Sequence, residues 1–87
     1  LMLRRSMMAA DPAVLQYKRD TTYSLLKMGE IWVGDGDPAA AEPLYLEAVA
    51  LRTDLVGAMP DDIFGLRDLS IAQNMLAAVY LTLGRSA

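Results

Sequence analysis

Slid against itself by 48 residues without a gap, the sequence pairs positions 1–39 with positions 49–87, and eight of the 39 pairs are identical. Arg19-Asp20 returns as Arg67-Asp68, Leu3-Arg4 as Leu51-Arg52, and Ala10, Pro12, Gly36 and Ala39 as Ala58, Pro60, Gly84 and Ala87. Other pairs keep their character, among them Met7/Leu55, Leu15/Ile63, Met28/Leu76, Ile31/Val79, Trp32/Tyr80 and Val33/Leu81. What persists is the apolar positions and the Pro and Gly that punctuate them, which is what a packing repeat retains. A period of this size predicts stacked copies of one supersecondary unit, each burying its apolar face against the next. At 48 residues per unit, the 87 residues hold about 1.8 units. The first residue is Leu1 and the pattern opens mid-unit, so a piece of a longer polypeptide is expected.

Between Asp11 and Gly34 the residues Leu15, Thr22, Leu25, Met28 and Trp32 recur at spacings of three, four and seven, the mark of one long helix. Asp11-Pro12 fits an N-cap followed by Pro at the first helical position. The run Gly34-Asp35-Gly36-Asp37-Pro38 ends that helix and opens a second, which carries Ala41, Leu44, Tyr45, Ala48, Leu51, Arg52, Leu55 and Val56 and ends near Gly57-Ala58. Pro43 lacks the amide that would bond the carbonyl of Ala39, which predicts a bend or a delayed helix start. A third helix over 61–83 repeats the first, and residues 1–10 are read as the tail of a preceding helix of the second type. No strand alternation occurs. The expected architecture is all-α, a single domain of antiparallel helix-turn-helix repeats, with one full hairpin over 11–58 and the first helix of the next unit within 59–87.

The residues Met28-Gly29-x-x-Trp32-x-x-x-Gly36-x-Pro38-x-x-Ala41-x-x-x-Tyr45-x-x-Ala48 are similar to the tetratricopeptide repeat (TPR) pattern, and Leu76-Ala77-x-x-Tyr80-x-x-x-Gly84 fits its first half. Ala41-Glu42-Pro43-Leu44-Tyr45 resembles a string of kinesin-light-chain-like repeats, and Arg67-Asp68-Leu69-Ser70 one of long-helix bacterial arrays. The likeness covers nearly the whole chain. It departs in period, 48 residues where the family has 34, which implies helices lengthened by about two turns each; Thr53-Asp54 also stand where a helix-ending Pro belongs. The resemblance implies an α-solenoid fragment whose first-type helices line a concave, peptide-binding face. The positions matching that face are Tyr23, Leu26, Lys27, Glu30 and Val33, then Ile71, Asn74, Met75, Ala78 and Leu81; inter-repeat core is the alternative for several of them. Leu26 and Glu30 stand where the family's carboxylate clamp has Lys and Asn, so a chaperone tail is a poor ligand. Small residues at 29 and 77 facing Ala41 and Ala48 allow close helix approach, with Trp32, Tyr45 and Tyr80 filling the space beside them as core aromatics.

Composition removes most other functions. Eight Lys and Arg against eleven Asp and Glu leave a net charge of -3, so no global positive field exists to hold nucleic acid. With no Cys and no His, thiolate nucleophiles, imidazole bases and zinc sites of the usual ligand type are excluded. The apolar runs are far shorter than the roughly 18 residues of a membrane span, and no signal-peptide pattern opens the chain, so a soluble, cytoplasmic protein is expected. Asp35-Gly36-Asp37 begins like a calcium loop but has Ala39 and Leu46 where ligands belong. Gly34-x-Gly36 has neither a preceding strand nor a third Gly, as a dinucleotide site requires. Asp61-Asp62 reads as compensation of a helix dipole, and Glu42 and Glu47 as solvated surface. No catalytic, cofactor-binding or metal residue is expected, and the chain is read as a non-enzyme.

Neighbours in a helix diverge by roughly 100°, so Arg19 and Asp20 do not pair with each other; a ladder between units, Asp20 with Arg67, is expected instead. Met7, Met8 and Met28 align with apolar partners and read as packing, whereas Met75 aligns with Lys27 and is expected to point away from the core. The expected function is a protein–protein interaction module whose groove takes an extended or helical peptide by apolar anchors, with Lys27 and Glu30 setting orientation. The competing readings are a self-associating scaffold and a regulatory segment of a larger protein. Because the third helix lacks a following partner in this sequence, a homo-oligomer through open repeat faces is expected.

Overall fold

The structure is a computed structural model and describes residues 11–84; the expected helix tail at 1–10 lies outside the described residues. The described chain is all-α: α1 (Pro12–Gly34), α2 (Pro38–Ala58) and α3 (Ile63–Thr82), with no strand among the described residues. None of these helices is long and apolar enough to cross a membrane.

Local chemistry sets each boundary. Asp11 caps α1 by accepting the amide of Ala13 at 2.9 Å, and Pro12 occupies the first turn, where its missing N–H is not needed. The exit of α1 is a Schellman turn. Gly36 takes φ +85°, its amide bonds the carbonyl of Val33 at 3.0 Å, and the amide of Asp37 bonds that of Trp32 at 2.9 Å. Asp37 then caps α2 by accepting the amide of Ala40 at 3.3 Å. Asp62 caps α3 by accepting the amide of Phe64 at 3.0 Å, so of the Asp61-Asp62 pair one carboxylate acts as a direct hydrogen-bond cap. The second helix starts at Pro38 with Pro43 inside it, so of the two alternatives expected at Pro43, a bend or a delayed start, the delayed start does not occur.

Helix α2 is central, packing against α1 and α3. Its buried stripe is Ala41, Tyr45, Ala48, Arg52 and Leu55, alternating steps of four and three along one face. Against it α1 buries Thr22, Leu25, Leu26 and Gly29, and α3 buries Ala72 and Val79. Ala41, Ala48 and Ala72 have no accessible surface, which lets the three backbones approach closely. Tyr45 fills the space opposite Gly29, as the sequence suggests.

Four packing expectations are corrected, the first being Met28, expected to pack and 49% exposed. Trp32 is 43% exposed and is not a core aromatic, because it lies at the edge of the stripe that α1 turns toward its neighbours; Tyr80 is half-buried. Met75 does not point away but packs against the core, since the α2-facing side of α3 runs through 72, 75, 76 and 79. The Asp20–Arg67 ladder does not form: Asp20 accepts a hydrogen bond from Gln16 one turn earlier at 2.8 Å.

Candidate functional site

Two clefts define the face where α1 and α3 lie side by side over α2. The first, about 460 Å³, takes Arg19 and Tyr23 from the N-terminal half of α1 and Arg67 and Asp68 from that of α3, with Arg52 and Leu55 of α2 between them. The second, about 160 Å³, takes Val33 from the end of α1, Ala78 and Thr82 from that of α3, and Tyr45 from the start of α2. Like halves meet like halves, so α1 and α3 run parallel and α2 antiparallel to both.

Of the ten groove positions read from sequence, Tyr23, Lys27, Glu30, Val33, Ile71, Asn74, Ala78 and Leu81 are exposed. Leu26 is not available to a ligand: at 7% exposure it joins Ala72 and Val79 in the core. Met75 is half-buried and reaches the second cleft together with Val33 and Ala78. Tyr23 borders the first cleft. Lys27, Glu30, Ile71, Asn74 and Leu81 are exposed but line neither cleft.

The residue that organises the first cleft, Arg52, was visible in the sequence only as one member of the α2 apolar-facing row. It is 3% exposed, its guanidinium lies 5.4 Å from the centroid of the Tyr23 ring, and its Nη1 donates to the backbone carbonyl of Asp68. One side chain from the central helix thus ties α1 to α3. Its Nε is buried with no acceptor, which for a guanidinium N–H is costly. The available signal was a charge inside a four-three stripe of otherwise apolar residues.

At the opposite end, burial pushes the Tyr45 hydroxyl above its usual 10.0, and the negative charge of Glu30 adds to that shift. Tyr45 is therefore a neutral, packed ring at neutral pH. Asp35 and Asp37 belong to the α1–α2 turn, and no three acidic, His or Cys side chains gather as metal ligands among the described residues. Comparison with family models, with curated proteins and with solved structures finds no match.

Proposed function

We propose that this chain is a protein–protein interaction module, a TPR-like α-solenoid fragment that receives a peptide or helix along the face between α1 and α3. The observation that carries this reading is the paired clefts: two parallel helices over a third leave a hollow at each end of one face, with exposed Tyr23, Val33 and Ala78 at their margins. Concave surfaces between stacked helical units are where such folds take extended partners. The role is recognition, without chemistry on the ligand. Amide and methyl NMR shifts in a titration with peptides selected by display test it. Shifts are expected at Tyr23, Val33, Met75 and Ala78; shifts confined to the outer side of α2, at Leu46 and Glu47, would overturn the reading.

Self-association is the second reading, favoured by exposed large apolar side chains, Ile31 and Trp32 on α1 and Ile63, Phe64 and Leu81 on α3. Sedimentation equilibrium over micromolar concentrations separates the two readings. A monomer that binds peptide supports the first, and a dimer that excludes peptide supports the second.

A further inference from the structure

Arg19, Arg52 and Arg67 reach one cleft from three different helices. None of them forms an ion pair with a carboxylate: among the described residues the salt bridge formed is Lys18–Asp54, at 3.8 Å. Two acids, Asp62 and Asp68, line the cleft as well. Asp62 spends an oxygen on the amide of Phe64 as the cap of α3, and Asp68 meets Arg52 through its backbone carbonyl. Arg52 adds the decisive feature, because it is a nearly sealed cation with one N–H that no group among the described residues accepts. A chain of net charge -3 thus gathers three guanidinium groups against two carboxylates in one cleft, a local excess of positive charge at one end of its docking face. Guanidinium forks match the two oxygens of a carboxylate, and desolvation by Leu55, Met59 and Phe64 around the cleft strengthens such pairs.

We propose that this cleft anchors an Asp or Glu side chain of the peptide received by the α1–α3 face, an inference that rests on the docking function above. Charge complementarity selects that occupant over the segments 1–10 and 85–87. Residues 1–10 and 85–87 contain Arg4, Arg5 and Arg85 and no acidic side chain. The second cleft, with Val33, Met75 and Val79, takes an apolar side chain of the same peptide. From Tyr23 to Val33 is ten residues of α1, about 15 Å of helix. An extended peptide covers that distance in about four or five residues. The ligand therefore carries one acid and one bulky apolar residue at that separation.

The test is fluorescence anisotropy on the full chain with synthetic peptides holding one Glu and one Leu apart by Gly/Ser spacers of varied length, each with a Glu→Gln counterpart. The Glu peptides are expected to bind roughly tenfold more tightly than their Gln counterparts, the worth of one charge-assisted hydrogen bond, with an optimum at the predicted spacing. That advantage is expected to vanish in Arg52→Met and Arg67→Glu and to shrink as salt rises. A Lys-for-Glu peptide should bind Arg67→Glu better than it binds the wild type. Arg67 is exposed, so Arg67→Glu keeps the test decisive if Arg52→Met loses its fold. If Glu and Gln peptides bind equally, the acidic anchor is refuted while the docking face stands. If neither binds, the docking function itself fails. A dimer that shields Arg67 and excludes every peptide would overturn the anchor in favour of a second copy of this chain.

Discussion

Gly29→Ala sets helix propensity against packing at the closest approach of α1 to α2. Gly in a helix interior is worse than Ala by about 0.5–1 kcal/mol, so propensity alone makes the substitution stabilising. A Cβ at position 29 would lie 2.9 Å from both Cδ1 and Cζ of Tyr45, and closer still to Cε1. Carbon atoms rest comfortably at about 3.5–4.0 Å, so the ring and the helix between them must give way by about 0.6–1.1 Å at those two atoms. The ring has little room to do so. Tyr45 is 3% exposed and sits between Ala41 and Ala48, which are fully buried on the same face. Overpacking of this kind costs about 1–3 kcal/mol, which leaves a net loss of about 1–2 kcal/mol after the propensity gain. For a domain of this size that lowers the melting temperature by roughly 4–15 °C. Gly57, also inside a helix, has nothing within 4 Å of its Cβ position, so Gly57→Ala should raise stability by the propensity term alone.

Thermal and urea unfolding followed by far-UV circular dichroism on both variants reads the two signs directly. In a Tyr45→Leu background the ring edge is gone, and the Gly29→Ala penalty should largely disappear, giving a positive coupling between the two sites. Equal stabilisation by Gly29→Ala and Gly57→Ala would refute the packing of Tyr45 onto α1.

Arg52→Met, which keeps the volume and removes a charge that no carboxylate balances, should change stability by less than about 1 kcal/mol, whereas Arg52→Ala should lose about 2–4 kcal/mol to the cavity; urea melts compare them. The Tyr45 hydroxyl is held above 10.0 in the fold, so the folded state binds that proton more tightly than the unfolded chain. Its contribution is intact below pH 10 and lost as pH rises through the folded value, and melting curves in alkaline buffers should show Tyr45→Phe declining less steeply than the wild type. Asp62→Ala removes the α3 cap and should cost about 1 kcal/mol with Asp62→Asn close to neutral, both measured by urea unfolding.

The helix limits were legible because each is written in local chemistry. Asp11-Pro12, Asp37-Pro38 and Asp62 cap starts, and Gly36 supplies the positive φ of the α1 exit. These depend on residues within a turn of one another and not on tertiary context. Pro43 was harder, since whether a helix bends, restarts or continues at an interior Pro depends on the packing that holds both sides of it. The site was less legible. Leu26 and Tyr23 both match the groove pattern and sit only about 60° apart around α1, but Leu26 falls inside the buried stripe of Thr22, Leu25, Leu26 and Gly29 and Tyr23 falls just outside it. The Arg-Asp repeat suggested an ion-pair ladder, yet Gln16 was within reach of Asp20 on its own helix and claimed it first. Arg52 carried the strongest signal, a lone charge in the stripe Ala41, Tyr45, Ala48, Leu55, and only its neighbours from α1 and α3 give that charge a role.

The repeat equates positions, and burial depends on which neighbour each copy has. Thr22, Leu25 and Leu26 of α1 are buried, while their counterparts Ser70, Gln73 and Asn74 on α3 are exposed. Val79 is 3% exposed, while its counterpart Ile31 on α1 is 63% exposed. Both helices lean on α2 but turn different repeat positions inward: α1 buries Thr22, Leu25, Leu26 and Gly29, and α3 buries Ala72 and Val79. Each is therefore left with a different open face. On α3 the open counterpart row is polar, Ser70, Gln73 and Asn74, and water satisfies it at no cost. On α1 the open row is Met28, Ile31 and Trp32, three large apolar side chains held in solvent. The sequence reading looked for a sticky surface on the third helix because that helix lacks a following partner. The side-chain chemistry puts an apolar surface on α1 as well, where the apolar character of Leu76, Val79 and Tyr80 is kept at positions that α2 does not bury, in addition to the exposed Ile63, Phe64 and Leu81 of α3.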